Sequence, residues 1–514
     1  MRMPDLRPLT SRLRCDRRGN VAIFTALAML PLSLAGLGAA DLASAVSGKV
    51  QLQDALDSAA LAAARSSART DAELQTVGER YLRQNLKLSP SFALARSSFH
   101  YGERGRVLAS AAVTFEPLVG QLTSAGDVTV GADAEVVRAD TRLEIALVLD
   151  NTGSMVQNGS PKLSRLKTAA KNFVTFMEQA AARSVERDAV RIALVPFSHT
   201  VNVGTTYRYE SWLDQSGSSP INDQIFTTGS SGTQHANRFD LLAALGTGWS
   251  GCVESRRAPY DISDAAPSGG ATLFTPYFWP DEPDKGDYQN DYLADPQGIS
   301  DWKARQGSIT KYISTSGLGT DKGPNKGCKL RPIRRLGTDY SALRTAIDNL
   351  NAEGATNIPL GLVWGWHALS PSAPFRDGAA YGAPKLRKIV VLMTDGENTI
   401  SEVDDSNKND SPYSGIGYIW QGRVLKKSGS ALTSGTASTR TAALDDRLRK
   451  LCAAMKAPDV DIEIYAIRVE DGDSQLLEDC ASSGDHYFDV KNASDLDEVF
   501  QTIARQIANL HLAK

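Results

Sequence analysis

Between Arg18 and Asp41 the chain carries no charged residue for 22 positions, and the gap follows a cluster made by Arg2, Arg7, Arg12, Arg14, Arg17 and Arg18. A helix needs about 20 apolar residues to cross a bilayer, and within lipid a single segment can satisfy its backbone only as a helix. Val21 to Leu32 is interrupted only by Thr25 and Pro31, and proline is tolerated in membrane helices. Against the six arginines stand only Asp5 and Asp16, so residues 1–20 carry a net +4. The positive-inside bias keeps that end in the cytoplasm and sends the remainder across the membrane. A cleavable signal peptide competes for the same residues, because Ala43-Ser44-Ala45 has the small-residue cleavage pattern. Such peptides use an apolar stretch of about 7–15 residues, whereas this run is longer and its helical pattern continues through the candidate cut. The expectation is an uncleaved single-pass anchor, with the polypeptide beyond it periplasmic or otherwise extracytoplasmic.

Past Asp41 the pattern turns amphipathic, with Leu52, Leu56, Ala59, Ala60 and Ala63 on one helical face. It predicts one long helix to about Leu88, ended by Pro90. Two β-rich stretches follow, at 107–115 and 127–137. A long helix with a small antiparallel sheet has the shape of a pilin-like subunit. From Leu143 apolar strands (145–149, 190–195, 389–393, 462–467) alternate with helical patterns, which predicts an α/β unit with a parallel sheet covered on both faces. The last helix is predicted to start at Ser494 as N-cap, with Asp497 three residues on. The expected organisation is a basic cytoplasmic tail (1–20), a transmembrane helix (21–40), a pilin-like helix and β region (41–140), and an α/β domain (141–514). Insertions at about 201–335 and 402–436 interrupt that domain; the first is rich in Tyr and Trp, and the second reads as a flexible polar loop.

The overall charge of −3 and the lack of a basic, aromatic-interleaved stretch exclude a nucleic-acid partner. No G-x-S-x-G elbow or G-x-x-x-x-G-K-[ST] loop occurs, so serine-hydrolase and nucleotide chemistry lack their residues. Asp150-Asn151-Thr152-Gly153-Ser154 follows the first α/β strand. Ligands of open α/β sheets bind beyond the carboxyl ends of the strands, and a carboxylate with two hydroxyls at i, i+2 and i+4 can converge there on a hard cation such as Mg²⁺. A second strand ends in Asp395-Gly396-Glu397, and Thr356-Asn357 is a loop hydroxyl before a helix.

Asp-x-Thr-x-Ser, a later loop threonine and a strand-terminal Asp-Gly resemble the metal-ion-dependent adhesion site of von Willebrand factor A domains, a Rossmann-like fold. The resemblance implies Mg²⁺, or Mn²⁺ or Ca²⁺, on Asp150, Thr152, Ser154, Thr356 and Asp395, directly or through water. It also implies capture of an acidic side chain from a partner protein, and no catalysis. Thr152 replaces the more common serine and keeps the hydroxyl. Arg17-Arg18-Gly19-Asn20-Val21-Ala22-Ile23-Phe24 and the alanine-rich helix behind it resemble TadE/TadG-like proteins of Flp (tight adherence) pilus assembly. Gly251-Cys252-Val253-Glu254-Ser255-Arg256, Gly327-Cys328, Gly361 to Pro371, Leu392 to Thr399 and Ile503 to Leu510 resemble the TadG branch. Phe24 stands where a processed pilin-type protein places Glu, which argues against cleavage after Gly19.

Cys15 falls on the reducing side of the anchor, and Cys252, Cys328, Cys452 and Cys480 on the oxidising side. Four cysteines admit three pairings. Cys252–Cys328, tying down the large insertion, and Cys452–Cys480, tying the strand around Ile464, are the favoured set; zinc is disfavoured because no C-x-x-C occurs. The resulting expectation is a membrane-anchored assembly or secretion protein that binds a pilus, envelope or surface partner. Its rivals are a surface adhesin and a metal-dependent hydrolase with Glu397 as base.

Overall fold

A computed structural model describes residues 20–512, except 67, 69, 88–89, 103–105, 124–125, 138–140, 185, 227–235, 285–287, 314, 316–317, 319–320 and 405. The arginine cluster and Cys15 lie outside the described residues. The chain divides into two compact units, residues 1–139 and 140–514.

In the first unit α1 (Asn20–Ala64) runs unbroken through Pro31. It is long and apolar enough to cross a membrane, and Phe24, Leu27, Met29, Leu30 and Leu32 all project away from the protein. The single helix expected to reach Leu88 is corrected: it stops at Ala64, and α2 (Asp71–Asn85) packs back against it. The break has local causes. The Ser66 hydroxyl donates to the Ala63 carbonyl at 2.7 Å, and Thr70 accepts from the Glu73 amide as N-cap, with Asp71 and Glu73 in the positive first turn. Three antiparallel strands follow, β1 (Phe92–Tyr101), β2 (Arg106–Phe115) and, after the short α3 (Leu118–Thr123), β3 (Val128–Val137). The sequence reading missed β1. Alternate residues Val107, Ala109, Ala111 and Val113 of β2 bury against Leu52, Leu56, Ala59, Leu74 and Leu82. Asp41, which ends the uncharged run, accepts the Leu118 and Val119 amides at 2.8 and 3.0 Å.

The second unit is a mixed α/β sheet. Its elements in chain order are β4 (Arg142–Asp150), α4 (Lys162–Arg183), β5 (Val190–Phe197), β6 (Val201–Asn202), α5 (Arg238–Ala244), β7 (Cys252–Val253), α6 (Trp302–Gly307), β8 (Arg334–Gly337), α7 (Tyr340–Asp348) and α8 (Ile358–Leu369). They continue with β9 (Leu386–Thr394), α9 (Ala437–Met455), β10 (Ile462–Val469), α10 (Ser474–Cys480), β11 (Tyr487–Val490) and α11 (Leu496–Leu512). The main sheet has the order β11-β10-β9-β4-β5-β8. It is parallel except for the edge strand β8, which pairs antiparallel to β5. Strand alternation divides the core: Leu143, Ile145, Leu147 and Leu149 face α4, α7 and α11, while Ala146 and Val148 face α8 and α9. Every residue of α8 is buried. It lies so close to the sheet that a Cβ on Gly365 would sit 2.4 Å from Val148. Asn492, not Ser494, caps the last helical segment by accepting the Ser494 amide at 2.9 Å.

The insertions are packed, and the 402–436 segment is not the loose loop the sequence suggested. Arg238 and Arg423, one from each insertion, both pair with the fully buried Glu254, which also accepts the Tyr413 hydroxyl. Burying three charges together is tolerated because each finds its partner. Most insertion aromatics, among them Trp212, Trp249, Tyr277 and Phe278, lie inside, as do Trp364 and Trp366 of α8, whereas Tyr209 is exposed. Both favoured disulfides, Cys252–Cys328 and Cys452–Cys480, are formed.

Candidate metal centre

Asp150 ends β4, the strand between β5 and β9, and Asp395 follows the last residue of β9. Parallel pairing of these strands brings residues 245 positions apart in sequence to one sheet edge. The turn after β4 is fixed by backbone bonds to neighbouring loops. Asn151 N–H donates to Phe197, Gly153 N–H to the Gly354 carbonyl at 2.9 Å, and Glu353 N–H to Asn151. Gly354 has φ +71°, and a Cβ there would lie 1.7 Å from His199 Nδ1, so the position admits only glycine. Thr356 precedes Asn357, the N-cap of α8, and its carbonyl accepts the Thr399 amide.

All five sequence-chosen residues meet at this edge. Asp150 Oδ1 accepts the Thr152 amide at 2.8 Å and Oδ2 the Thr394 hydroxyl at 2.6 Å. The Thr152 and Ser154 hydroxyls are 2.9 Å apart, and Ser154 Oγ donates to Asp395 Oδ1 at 2.7 Å. Thr356 Oγ1 and Ser154 Oγ lie 3.5 and 4.0 Å from the point a Cβ on Gly396 would occupy. Asp150 and Asp395 are 0% and 1% exposed.

The electrostatics are unbalanced. Burial, and then repulsion from Asp395, push the Asp150 carboxyl up to about 6, and no ion pair reaches it among the described residues. Asp395 is paired with the Lys162 ammonium at 2.9 Å. The donor chemistry fits a hard divalent ion: Ser154 gives its proton to Asp395 and keeps a lone pair beyond the one facing Thr152, and the Asp150 negative charge has no counter-cation among the described residues. Among the described residues no three His, Cys, Asp or Glu side chains gather as metal ligands. A cation here would therefore lean on the hydroxyls of Thr152, Ser154 and Thr356 and on water.

Above these residues opens a cavity of about 710 Å³, floored by Thr152, Ser154 and Thr356 and walled from the insertions by Trp279, Lys326 and Tyr413. His199 lines it too, its imidazole pushed down to about 4 by burial. Glu397, the candidate base, lines a separate cavity of about 350 Å³ with Asp445 and Asp473. Sequence reasoning missed Lys162, Thr394 and His199. Lys162 follows Ser154 by eight residues at the start of a helix, but only the parallel pairing of β4 with β9 puts it against Asp395.

Residues 19–66 match the family described as "Putative Flp pilus-assembly TadE/G-like". No curated protein matches the chain. The pilus adhesin SpaC from Lactobacillus rhamnosus GG is similar at 14% identity and TM-score 0.32, over 83% of this chain and 36% of the adhesin. The chain thus spans about a third of that protein's length. The vWF domain of the type V pili tip protein Mfa5 from Porphyromonas gingivalis is similar at 11% identity and TM-score 0.34, over 73% of this chain and 97% of that domain. The pilus adhesin RrgA from Streptococcus pneumoniae is similar at 10% identity and TM-score 0.34, over 82% of this chain and 49% of the adhesin.

Proposed function

We propose that this chain is a TadG-type protein of Flp pilus assembly, anchored by α1 in the inner membrane with its α/β unit outside the cytoplasm. On this reading the α/β unit is a von Willebrand factor A domain that binds a partner and catalyses no reaction. The family match over residues 19–66 supports the pilus context, and the uncharged helix α1 supports the anchor. The observation that carries the site is Asp150: a buried carboxylate without a counter-cation among the described residues, one turn from two hydroxyls at the floor of an open cavity. A divalent ion bound there supplies positive charge and an open coordination position for a carboxylate of the partner. Asp150, Thr152, Ser154, Thr356 and Asp395 hold that ion. Thr394 and the Thr152 amide orient Asp150, and Lys162 orients Asp395. The walls contributed by the insertions narrow the approach, so the partner presents its acidic side chain on a projecting segment.

Crosslinking pull-down from native membranes, with and without EDTA, tests this reading on wild-type protein and Asp150→Ala. A partner captured by wild-type with Mg²⁺, and lost with EDTA or with Asp150→Ala, is the expected result. A partner set indifferent to both treatments would remove the metal from the mechanism. Protease treatment of intact cells separates an assembly protein, which is shielded, from a surface adhesin, which is shaved.

A further inference from the structure

The two carboxylates of the site are not equivalent. Asp395 accepts the Ser154 hydroxyl on one oxygen and the Lys162 ammonium on the other, at 2.7 and 2.9 Å. Lys162 is the first residue of α4, with its side chain 13% exposed, and it also stands 3.5 Å from Glu470 Oε2. Glu470 is itself held in place, accepting the Ala493 amide on Oε1 at 2.9 Å. A covalently tethered positive charge therefore already sits on one of the carboxylates a divalent ion would use.

We propose that Lys162 is a built-in counter-charge that weakens cation binding at this site, so that occupancy follows the ambient divalent-cation concentration and the site is not permanently loaded. This rests on the divalent-cation reading of Asp150 and Asp395. Without the lysine, two buried carboxylates face an incoming 2+ ion; with it, the pair presents a net charge of only −1, and the ion also meets repulsion from the ammonium in a water-poor setting. Glu470 works against the lysine: its carboxylate draws part of the ammonium's field away from Asp395.

The test is a Mn²⁺ titration of the full chain in detergent micelles, reading free Mn²⁺ by electron paramagnetic resonance. Lys162→Met should tighten Mn²⁺ binding by about tenfold, the scale of one nearby like charge removed. Lys162→Arg should stay near wild-type, and Glu470→Gln should weaken binding. Damage to the fold weakens binding, so a tightened Lys162→Met cannot be mistaken for it, and the weakening by Glu470→Gln counts only where its near-ultraviolet circular dichroism matches wild-type. If Asp150→Asn abolishes binding but Lys162→Met binds no more tightly than wild-type, the role of the lysine is overturned while the site stands. If Asp150→Asn binds Mn²⁺ as wild-type does, the site and the role of the lysine fall together.

Discussion

Replacing Asp150 by Asn should stabilise the protein when metal is absent and remove its response when metal is added. The charged carboxylate is fully buried and repelled by Asp395, which lifts it from its ordinary 3.8 to about 6. At about 1.4 kcal/mol per pH unit, that displacement corresponds to roughly 3 kcal/mol. A carboxyl raised on folding binds its proton more tightly in the native state, so its stabilising effect is present at low pH and is lost as pH rises through about 6. At pH 7.5 in EDTA the wild-type chain therefore bears most of that cost. Asn keeps the shape and accepts the Thr152 amide with its one oxygen, while the Thr394 hydroxyl can turn to accept from the new amide group. Urea unfolding followed by near-ultraviolet circular dichroism should show Asp150→Asn more stable than wild-type in EDTA at pH 7.5, by about 1–3 kcal/mol, and level with it near pH 4. Mg²⁺ at about 1,000 times its Kd should reverse the order, because the ion then stabilises the wild-type by about 4.1 kcal/mol and leaves the variant unmoved. A variant less stable than wild-type in EDTA at pH 7.5 would refute the reasoning, since it would mean that the buried charge is already compensated.

His199 is held neutral by burial, so its contribution is complete above about pH 6.5 and is lost as pH falls toward about 4; His199→Gln should flatten the acid limb of a urea-midpoint profile between those values. Gly354→Ala should cost at least about 2 kcal/mol and blunt the Mg²⁺ response, because the new methyl strikes the His199 ring on a left-handed backbone. Gly159→Ala shares the positive φ but meets nothing within 4 Å, and chemical denaturation should find it the milder change. Paired Cys→Ser replacement of Cys252–Cys328 or Cys452–Cys480 should lower stability by about 3–5 kcal/mol each, the loop-closure scale for separations of 76 and 28 residues. Denaturation with and without dithiothreitol should show the loss in wild-type only on reduction.

The sequence was most legible where one local pattern had one physical outcome. An uncharged run of 22 residues made α1, and continuous apolar runs, buried on both faces, made β4 and β9. It was least legible where short polar segments decided the path. The turn at Ser66 and Thr70 cut the predicted long helix, because two side-chain caps outweigh a continuing alanine-rich face. Strand β1 was missed because Arg96, Ser97, Ser98 and His100 break the alternation, and it exists by pairing with β2. The 402–436 segment read as loose because its composition is polar. Tyr413 and Tyr418 are nonetheless fully buried, and Arg423 reaches Glu254 in the other insertion.

By itself the sequence determined the apolar span and the oxygen-rich turn of Asp150, Thr152 and Ser154, because each depends on residue type and near spacing alone; Thr356 and Asp395, more than 200 positions on, joined that turn as candidates only through the resemblance in motif order. Only the tertiary structure decided which charges those residues keep. Parallel pairing sets Asp395 beside Asp150, α4 lays Lys162 on Asp395 while Asp150 is met only by neutral donors among the described residues, and the insertions wall a cavity over Thr152, Ser154 and Thr356. Charge compensation in a buried site falls off with distance through a low-dielectric medium, and those distances are set by contacts between residues hundreds of positions apart.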